Sequence, residues 1–251
     1  MHSLSRALLP ALLVGLSGFV STVHAQALTI SAAASLGPAL SEIGRSFEAA
    51  RPGVQLRLNF AASGVLVQQL EHGAPVDVLA CADQASMDRA QHQQLIQAGS
   101  RRDFTANQLV LIAPLQDDFK IIQLADLSRA QVQRIAIGKP ASVPAGQYAA
   151  LALQAAQLWL PLTPKFVQAD NVRQVLAYVA RGEVQAGFVY RSDALAMGSK
   201  VRLVQPVGGT VLYPVAVTRS SAQTALAQDF IRYLQGAAAQ QILLQQGFAS
   251  P

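Results

Sequence analysis

Segments with the pattern of β-strands alternate with segments that have the pattern of α-helices along almost the whole chain. Short apolar runs, such as those at 28–31 and 135–138, are each followed by a helical pattern of ten or more residues. This alternation is typical of α/β domains with parallel sheets. We therefore predict an α/β fold.

Four of the strand-to-helix junctions begin with a small or neutral polar residue, at 32–37, 61–64, 142–146 and 171–173. The first turn of a helix carries up to four unpaired N–H groups and about half a positive charge. It can therefore bind an anion, and small residues there let the anion approach the backbone. Four such junctions predict a pocket that holds an anion with neutral hydrogen-bond donors.

The first 25 residues have the pattern of a secretory signal peptide. Arg6 gives a weakly basic start, an apolar run follows over 7–20, and small residues precede a cleavage site. We predict cleavage after Ala25, with cleavage after Ala27 as the alternative. No later segment reaches the ~18 consecutive apolar residues of a membrane span, so we expect a soluble, exported product.

Charge, cysteine and histidine content argue against several functions. The formal net charge is +5, but the basic residues are scattered, so we expect no nucleic-acid partner. Cys81 is the single cysteine; it cannot form an intramolecular disulfide, and its apolar surroundings in the sequence predict a buried, unreactive thiol. His72 and His92 lack zinc-ligand spacing, so we expect no transition metal held by side chains and no cofactor.

Glycines, prolines and apolar periodicity predict where individual elements begin and end. The pattern at 144–159 predicts one continuous helix, and the runs at 200–206 and 210–218 predict two separate strands.

Eight short segments keep a fixed order and spacing over essentially the whole chain after residue 25. They are AAASL at 32–36, NFAASG at 59–64, GAPVDVLACADQASMD at 73–88, NQLVLIAP at 107–114, GKPASVPAGQYA at 138–149, DNVRQVL at 170–176, GEVQAGFVYRSDA at 182–194 and YPVAV at 213–217. Each segment alone is a weak match. Together they resemble the periplasmic molybdate-binding proteins, which are the solute receptors of ABC uptake systems.

The resemblance implies the two-lobed periplasmic binding protein fold (type II), with the ligand in the cleft between the lobes. In that fold the chain crosses between the lobes twice, and we place the crossings near 107–114 and 210–217. The predicted units are a signal peptide at 1–25, a first lobe formed by 26–110 plus 212–251, and a second lobe at 111–211.

The resemblance also implies a function. The protein would be a monomeric periplasmic receptor, not an enzyme, that binds molybdate or tungstate and delivers it to the membrane permease of an ABC transporter. Molybdenum would be present only as the bound oxyanion, without direct bonds from the protein to the metal. The implied ligand-binding residues are Ser35, Ser63, Ala145, Val172 and Tyr190. The serines come from the first lobe and the other three from the second, so closing the lobes would complete the site.

The chemistry of these residues agrees with such a site. Each serine offers a hydroxyl and a backbone N–H group. Pro144 has no N–H group, so Ala145 would supply the first free donor of its helix. Asp170 or Asn171 is expected to cap the helix that Val172 opens. A site made only of donors rejects protonated anions, because an O–H group on the ligand finds no acceptor.

Several alternatives stay open at this point. Taken singly, Ser35 and Ser63 would fit ordinary helix caps, and Tyr190 would fit a core residue. Lys139 and Arg173 lie beside the proposed donors and could be direct ligands, although we expect them to face solvent or to pair with acids. Gly64, where some members of the resembled family carry a serine, leaves the fine selectivity of the pocket open.

Two other functions compete with the molybdate receptor. A receptor of the same architecture could bind another small oxyanion, such as sulfate, phosphate or chromate, because selection among these ligands depends on pocket dimensions. A secreted serine hydrolase that uses Ser63 is the alternative from another class. The chain lacks a G-x-S-x-G motif, and its histidines have no recognisable spacing from a nucleophile.

Overall fold

The computed structural model describes residues 26–116 and 118–251 of the chain. The predicted signal peptide at 1–25 lies outside the described residues. Within the described ranges, no helix combines the length and the apolar character needed to cross a membrane.

Eight strands of the described chain form one sheet. They are β1 (Gln26–Ala33), β2 (Val54–Ala61), β3 (Val78–Ala80), β4 (Arg102–Pro114), β5 (Ile135–Gly138), β6 (Phe166–Ala169), β7 (Ala186–Tyr190) and β8 (Val201–Val217). Their order across the sheet is β2-β1-β3-β8-β4-β7-β5-β6. We refer to β2, β1 and β3 as the first sheet half and to β7, β5 and β6 as the second sheet half.

Nine α-helices of the described chain connect and cover these strands. They are α1 (Gly37–Ala49), α2 (Ser63–Glu71), α3 (Gln84–His92), α4 (Pro144–Ala155), α5 (Trp159–Leu162), α6 (Val172–Ala180), α7 (Arg191–Met197), α8 (Thr224–Gln235) and α9 (Ala237–Gln245). A 3₁₀ turn at Ala34–Leu36 leads from β1 into α1. The predicted α/β fold is confirmed.

Each sheet half is parallel, but the two strands between them are not. The pairs β1–β2, β1–β3, β5–β6 and β5–β7 are parallel, whereas β4 and β8 are antiparallel to each other and to their outer neighbours β7 and β3. The prediction of parallel sheets is therefore right for six strands and wrong for β4 and β8. Apolar periodicity within a strand carries no information about the direction of its long-range partner.

The two strands predicted near the C-terminus are one strand, β8, which pairs with β4 along most of its length. Between the pairs Gln108 with Thr210 and Val110 with Pro206, β8 carries three residues opposite one residue of β4. Gly208, in this bulge, has a φ of 74°. The glycine pair that predicted an interruption therefore forms a bulge inside a continuous strand.

The helix predicted at 144–159 ends earlier, at the last residue of α4. Gln157 has a φ of 58°, and the N–H group of Leu158 donates to the carbonyl of Leu153 at 2.7 Å. This is the hydrogen bond that closes a Schellman motif. Because the left-handed position is filled by glutamine and not by glycine, the sequence carried no stop signal there.

The start of α4 packs closely against the end of β5 through two glycines. A Cβ atom on Gly146 would lie 2.0 Å from the carbonyl oxygen of Gly138. A Cβ atom on Gly138 would in turn lie 2.4 Å from the side chain of Val143. These two positions therefore fix where the first turn of α4 stands relative to the sheet.

We expect Gly146→Ala to destabilise the fold by about 1–3 kcal/mol, because the added methyl group must displace backbone atoms of β5. Urea denaturation of wild type and variant would measure the difference. Gly209→Ala is the matched control, because a Cβ atom there has no neighbour within 4 Å. Equal stabilities of the two variants would contradict the close packing.

Candidate functional site

Four helix starts meet at one small cavity between the two sheet halves. They are the 3₁₀ turn before α1 and the first turns of α2, α4 and α6. The cavity has a volume of about 10 Å³ and is lined by Ala33, Ala34, Ser35, Ala62, Ser63, Ala82, Val143, Pro144, Ala145, Asn171, Val172 and Tyr190. The structure thus brings all five residues of the predicted site together around one space.

The size of this cavity limits the ligand that it can hold. At about 10 Å³, the cavity is close to the smallest volume that holds one water molecule. The two sheet halves must therefore separate to admit an oxyanion.

Ala145 and Val172 present backbone N–H groups at the starts of α4 and α6. The Asn171 side chain caps α6 by accepting from the N–H group of Gln174 at 3.0 Å, so the cap predicted at Asp170 or Asn171 is Asn171. Among the described residues, no acceptor pairs with the N–H group of Ala145 or of Val172. Both donors are therefore available to a ligand.

Ser63 is held so that its hydroxyl proton is free. Its Oγ accepts a hydrogen bond from the N–H group of Ala82 at 3.0 Å. Because one lone pair faces this donor, the Ser63 O–H group is left to donate toward the cavity. Cys81 itself is buried, as predicted, and burial raises the pKa of its thiol well above the usual value.

Neither serine caps its helix. The cap positions belong to Ala33 before the 3₁₀ turn and to Ala62 before α2, and neither makes a side-chain cap hydrogen bond. The Ser35 Oγ lies 3.0 Å from the hydroxyl of Tyr213. The reading of Ser35 and Ser63 as ordinary caps is therefore wrong.

Tyr190 reaches across the cavity to the other sheet half. Its hydroxyl donates to the carbonyl of Ala82 at 3.2 Å. Burial, with smaller contributions from Tyr213 and Asp83, raises the pKa of Tyr190 well above its usual value, so the phenol keeps its proton. A ligand that accepts from Tyr190 must therefore replace or share the bond to Ala82.

Ala82 is a residue of the site that the sequence did not indicate. It touches Ser63 through its N–H group and Tyr190 through its carbonyl. Both contacts use the backbone, so the side chain at this position carries no chemical signal.

The two sheet halves also touch through backbone atoms beside the cavity. The N–H group of Gly64, at the start of α2, donates to the carbonyl of Ser142 at 3.1 Å. A Cβ atom on Gly64 would lie 2.7 Å from that carbonyl oxygen. Glycine at this position therefore allows an approach that a serine would obstruct.

Lys139 and Arg173 both pair with acids and do not line the cavity. Lys139 forms an exposed pair with Asp170, and Arg173 donates to the buried Asp193 at 3.0 Å. The expectation that these cations pair with acids is confirmed. Asp193 also accepts from the N–H group of Tyr190 at 3.2 Å, so the ion pair fixes the turn that carries this tyrosine.

A buried acid lies one residue beyond the cavity lining. Asp83 caps α3 by accepting from the N–H group of Ser86 at 3.2 Å, but its Oδ1 has no partner among the described residues. Burial raises the pKa of Asp83, and burial with the charge of Asp83 raises the pKa of Tyr148 to about 12. An anion in the cavity must therefore be attracted by hydrogen-bond donors in spite of this carboxyl group.

Comparisons of the sequence with known proteins and protein families agree with one another. The sequence model of the bacterial extracellular solute-binding protein family matches residues 28–249. The molybdate-binding protein ModA of Escherichia coli strain K12 is 40% identical over 228 residues, which cover 88% of each chain. ModA of Mycobacterium tuberculosis strain H37Rv is 37% identical over 234 residues, or 92% of this chain and 87% of that protein.

A solved structure supports the fold. The periplasmic molybdate-binding protein of Azotobacter vinelandii superposes with a TM-score of 0.77 and 22% identity, and the match covers 89% of this chain and 99% of that one. At this identity the likeness establishes the shared fold alone.

We expect Asp83→Asn to gain stability relative to wild type as the pH rises from about 4 to 7. The raised pKa of Asp83 means that its stabilising contribution is present below the pKa of an unfolded aspartate and is lost as the pH rises through the folded pKa. Asparagine keeps the cap and cannot ionise. Urea denaturation at both pH values would measure the change.

Asp126→Asn is the control with the opposite sign. Hydrogen bonds, first from the N–H group of Ile122, lower the pKa of Asp126, so its contribution is present at neutral pH and is lost on acidification. The stability deficit of this variant should therefore shrink at low pH. A difference between Asp83→Asn and wild type that does not vary with pH would refute the role given to burial.

Proposed function

The chain belongs to the bacterial extracellular solute-binding protein family, and we propose that it binds molybdate and delivers it to the membrane permease of an ABC transporter. In this proposal the protein is a periplasmic monomer without catalytic activity, and tungstate is a second ligand. Binding by hydrogen bonds requires no cofactor. Signal peptide cleavage after Ala25, or after Ala27, would release the mature receptor.

The observation that carries this proposal is the meeting of neutral donors at one cavity. The hydroxyl of Ser63 and the N–H groups of Ala145 and Val172 are free to donate there, and Ser35 and Tyr190 line the same space. A divalent anion loses a large hydration energy on entering a buried site. Hydrogen bonds to a charged group, worth ~1.5–3 kcal/mol each, offset that loss.

The donors come from both sheet halves, which supports a cleft that closes on its ligand. Ser35 and Ser63 follow strands of the first sheet half, and Ala145, Val172 and Tyr190 follow or end strands of the second. We propose the predicted lobes, 26–110 plus 212–251 and 111–211, as the units that move. In that arrangement neither lobe alone offers the whole donor set.

The choice of molybdate rests on relatives and on donor chemistry together. The Escherichia coli relative is named a molybdate-binding protein and is 40% identical. Hydrogen phosphate is disfavoured because its O–H group would need an acceptor. Sulfate and chromate have the same charge and shape as molybdate and differ from it in size, so they are the alternatives that a binding experiment must separate.

A serine hydrolase is disfavoured by the surroundings of Ser63. Its Oγ accepts from a backbone N–H group instead of donating to a base. Both histidines of the described residues, His72 and His92, are exposed, and His72 contacts the carbonyl of Gln68.

We expect molybdate and tungstate to stabilise the mature protein far more than sulfate, chromate or phosphate does. Ligand at ~1,000 times its Kd adds ~4 kcal/mol of apparent stability. A thermal-shift panel of these oxyanions would measure the effect. Equal shifts for sulfate and molybdate would overturn the selectivity, and no shift with any oxyanion would overturn the function.

We expect Val172→Pro to weaken molybdate binding by roughly 10- to 150-fold, because proline removes the N–H group that the anion would accept. Asn171 has an extended backbone, with φ −159° and ψ 169°, which suits a residue before proline. Proline is also well accommodated at the first position of a helix. Titration calorimetry would give both affinities.

Val172→Ala is the matched control, since it shortens the side chain and keeps the N–H group. It should retain most of the affinity, and the unliganded melting temperatures of the two variants should be similar. If alanine weakens binding as much as proline does, Val172 acts through packing and the role of its N–H group is wrong.

A further inference from the structure

A chain of buried polar side chains connects the middle of the sheet to the cavity. It runs from Asn107 on β4 to Tyr213 on β8 and then to Ser35, which lines the cavity. All three residues are buried. Tyr213 does not line the cavity, so its hydroxyl would affect a ligand through Ser35.

The orientation of the Asn107 amide sets the direction of this chain. Its Oδ1 faces two backbone N–H groups, that of Gln108 at 2.9 Å and that of Ser192 at 3.5 Å. The oxygen must face these donors, so the Nδ2 group points to the other side. There it donates to the Ser192 Oγ at 2.8 Å and toward the Tyr213 hydroxyl at 3.5 Å.

The proton of Tyr213 is then directed toward Ser35. Because an amide N–H group can only donate, the Tyr213 oxygen accepts from Asn107, and we assign its own proton to the Ser35 Oγ at 3.0 Å, a contact in which either hydroxyl can donate. Burial raises the pKa of Tyr213 well above its usual value, so this proton is retained. With its oxygen accepting from Tyr213, Ser35 has its O–H group left to donate into the cavity.

We propose that Tyr213 is a specificity-determining residue, which favours the Ser35 hydroxyl as a donor toward the cavity and so disfavours oxyanions that carry a proton. This inference rests on the proposed function and deepens it. Ser63 already has such a partner in the main chain, because the N–H group of Ala82 occupies one of its two lone pairs. Ser35 depends on the side chain of Tyr213, so a substitution of Tyr213 can change whether Ser35 donates to the ligand or accepts from it.

Comparing hydrogen phosphate with molybdate tests whether Ser35 donates to the ligand or accepts from it. In slightly alkaline buffer both are dianions of tetrahedral shape, but only hydrogen phosphate carries an O–H group. Any change in overall charge or packing near the site affects both ligands in the same direction. The ratio of their affinities therefore reports whether the site offers an acceptor.

Tyr213→Phe should raise the affinity for hydrogen phosphate relative to molybdate by about tenfold, because Ser35 can then accept from the ligand. The experiment is competition calorimetry on the full mature chain. In a protein that already carries Ser35→Ala, adding Tyr213→Phe should not change the ratio of the two affinities any further. An unchanged ratio in Tyr213→Phe, or an equal change in both backgrounds, would overturn the proposal.

Asn107→Asp supplies a second variant if Tyr213→Phe does not fold. A carboxylate accepts the Tyr213 proton, so Ser35 again loses its fixed donor and the ratio should shift toward hydrogen phosphate. No shift in the folded variant would count against the proposal. If wild type binds no oxyanion, the proposed function fails; if wild type selects molybdate and these variants keep its selectivity, only the role of Tyr213 fails.

Discussion

The antiparallel pairing of β4 with β8 is the contact on which the rest of this arrangement depends. These two long strands lie between the two sheet halves and join them, since the end of β8 pairs with β3 and the end of β4 pairs with β7. The four helix starts follow strands of the two outer halves, so the distance between those helix starts depends on how β4 and β8 lie between them. The same two strands also carry Asn107 and Tyr213, so the pairing that positions the helix starts also positions the polar chain behind the cavity.

The sequence predicted most of the elements because local patterns encode them, whereas the five residues of the site were implied by the family resemblance. Proline before Ala145 and a short polar cap before Val172 agree with that resemblance but do not by themselves single out these donors. The direction of β4 and β8, the continuity of β8 through Gly208 and the helix end at Gln157 were not readable, because they depend on long-range pairing or on a left-handed residue that is not glycine. Ala82 and Tyr213 were missed as parts of the site because one acts through its backbone and the other through Ser35.

The site is arranged so that neutral groups can oppose an unfavourable charge nearby. Asp83 is buried next to the lining with an unpartnered oxygen, and the cations near the cavity are already paired with Asp170 and Asp193. Attraction must therefore come from donors whose direction is fixed before the ligand arrives. The Ser63 oxygen accepts from the N–H group of Ala82, and its O–H group is left to donate to an oxyanion.

Two hydrogen bonds join the sheet halves beside the cavity, from Gly64 to Ser142 and from Tyr190 to Ala82. A typical intramolecular hydrogen bond contributes ~1 kcal/mol net, so two of them favour contact between the halves by about thirtyfold. In the proposed receptor, separating the halves to admit or release a ligand would require breaking both bonds. Weakening either contact would therefore be expected to speed the exchange of ligand.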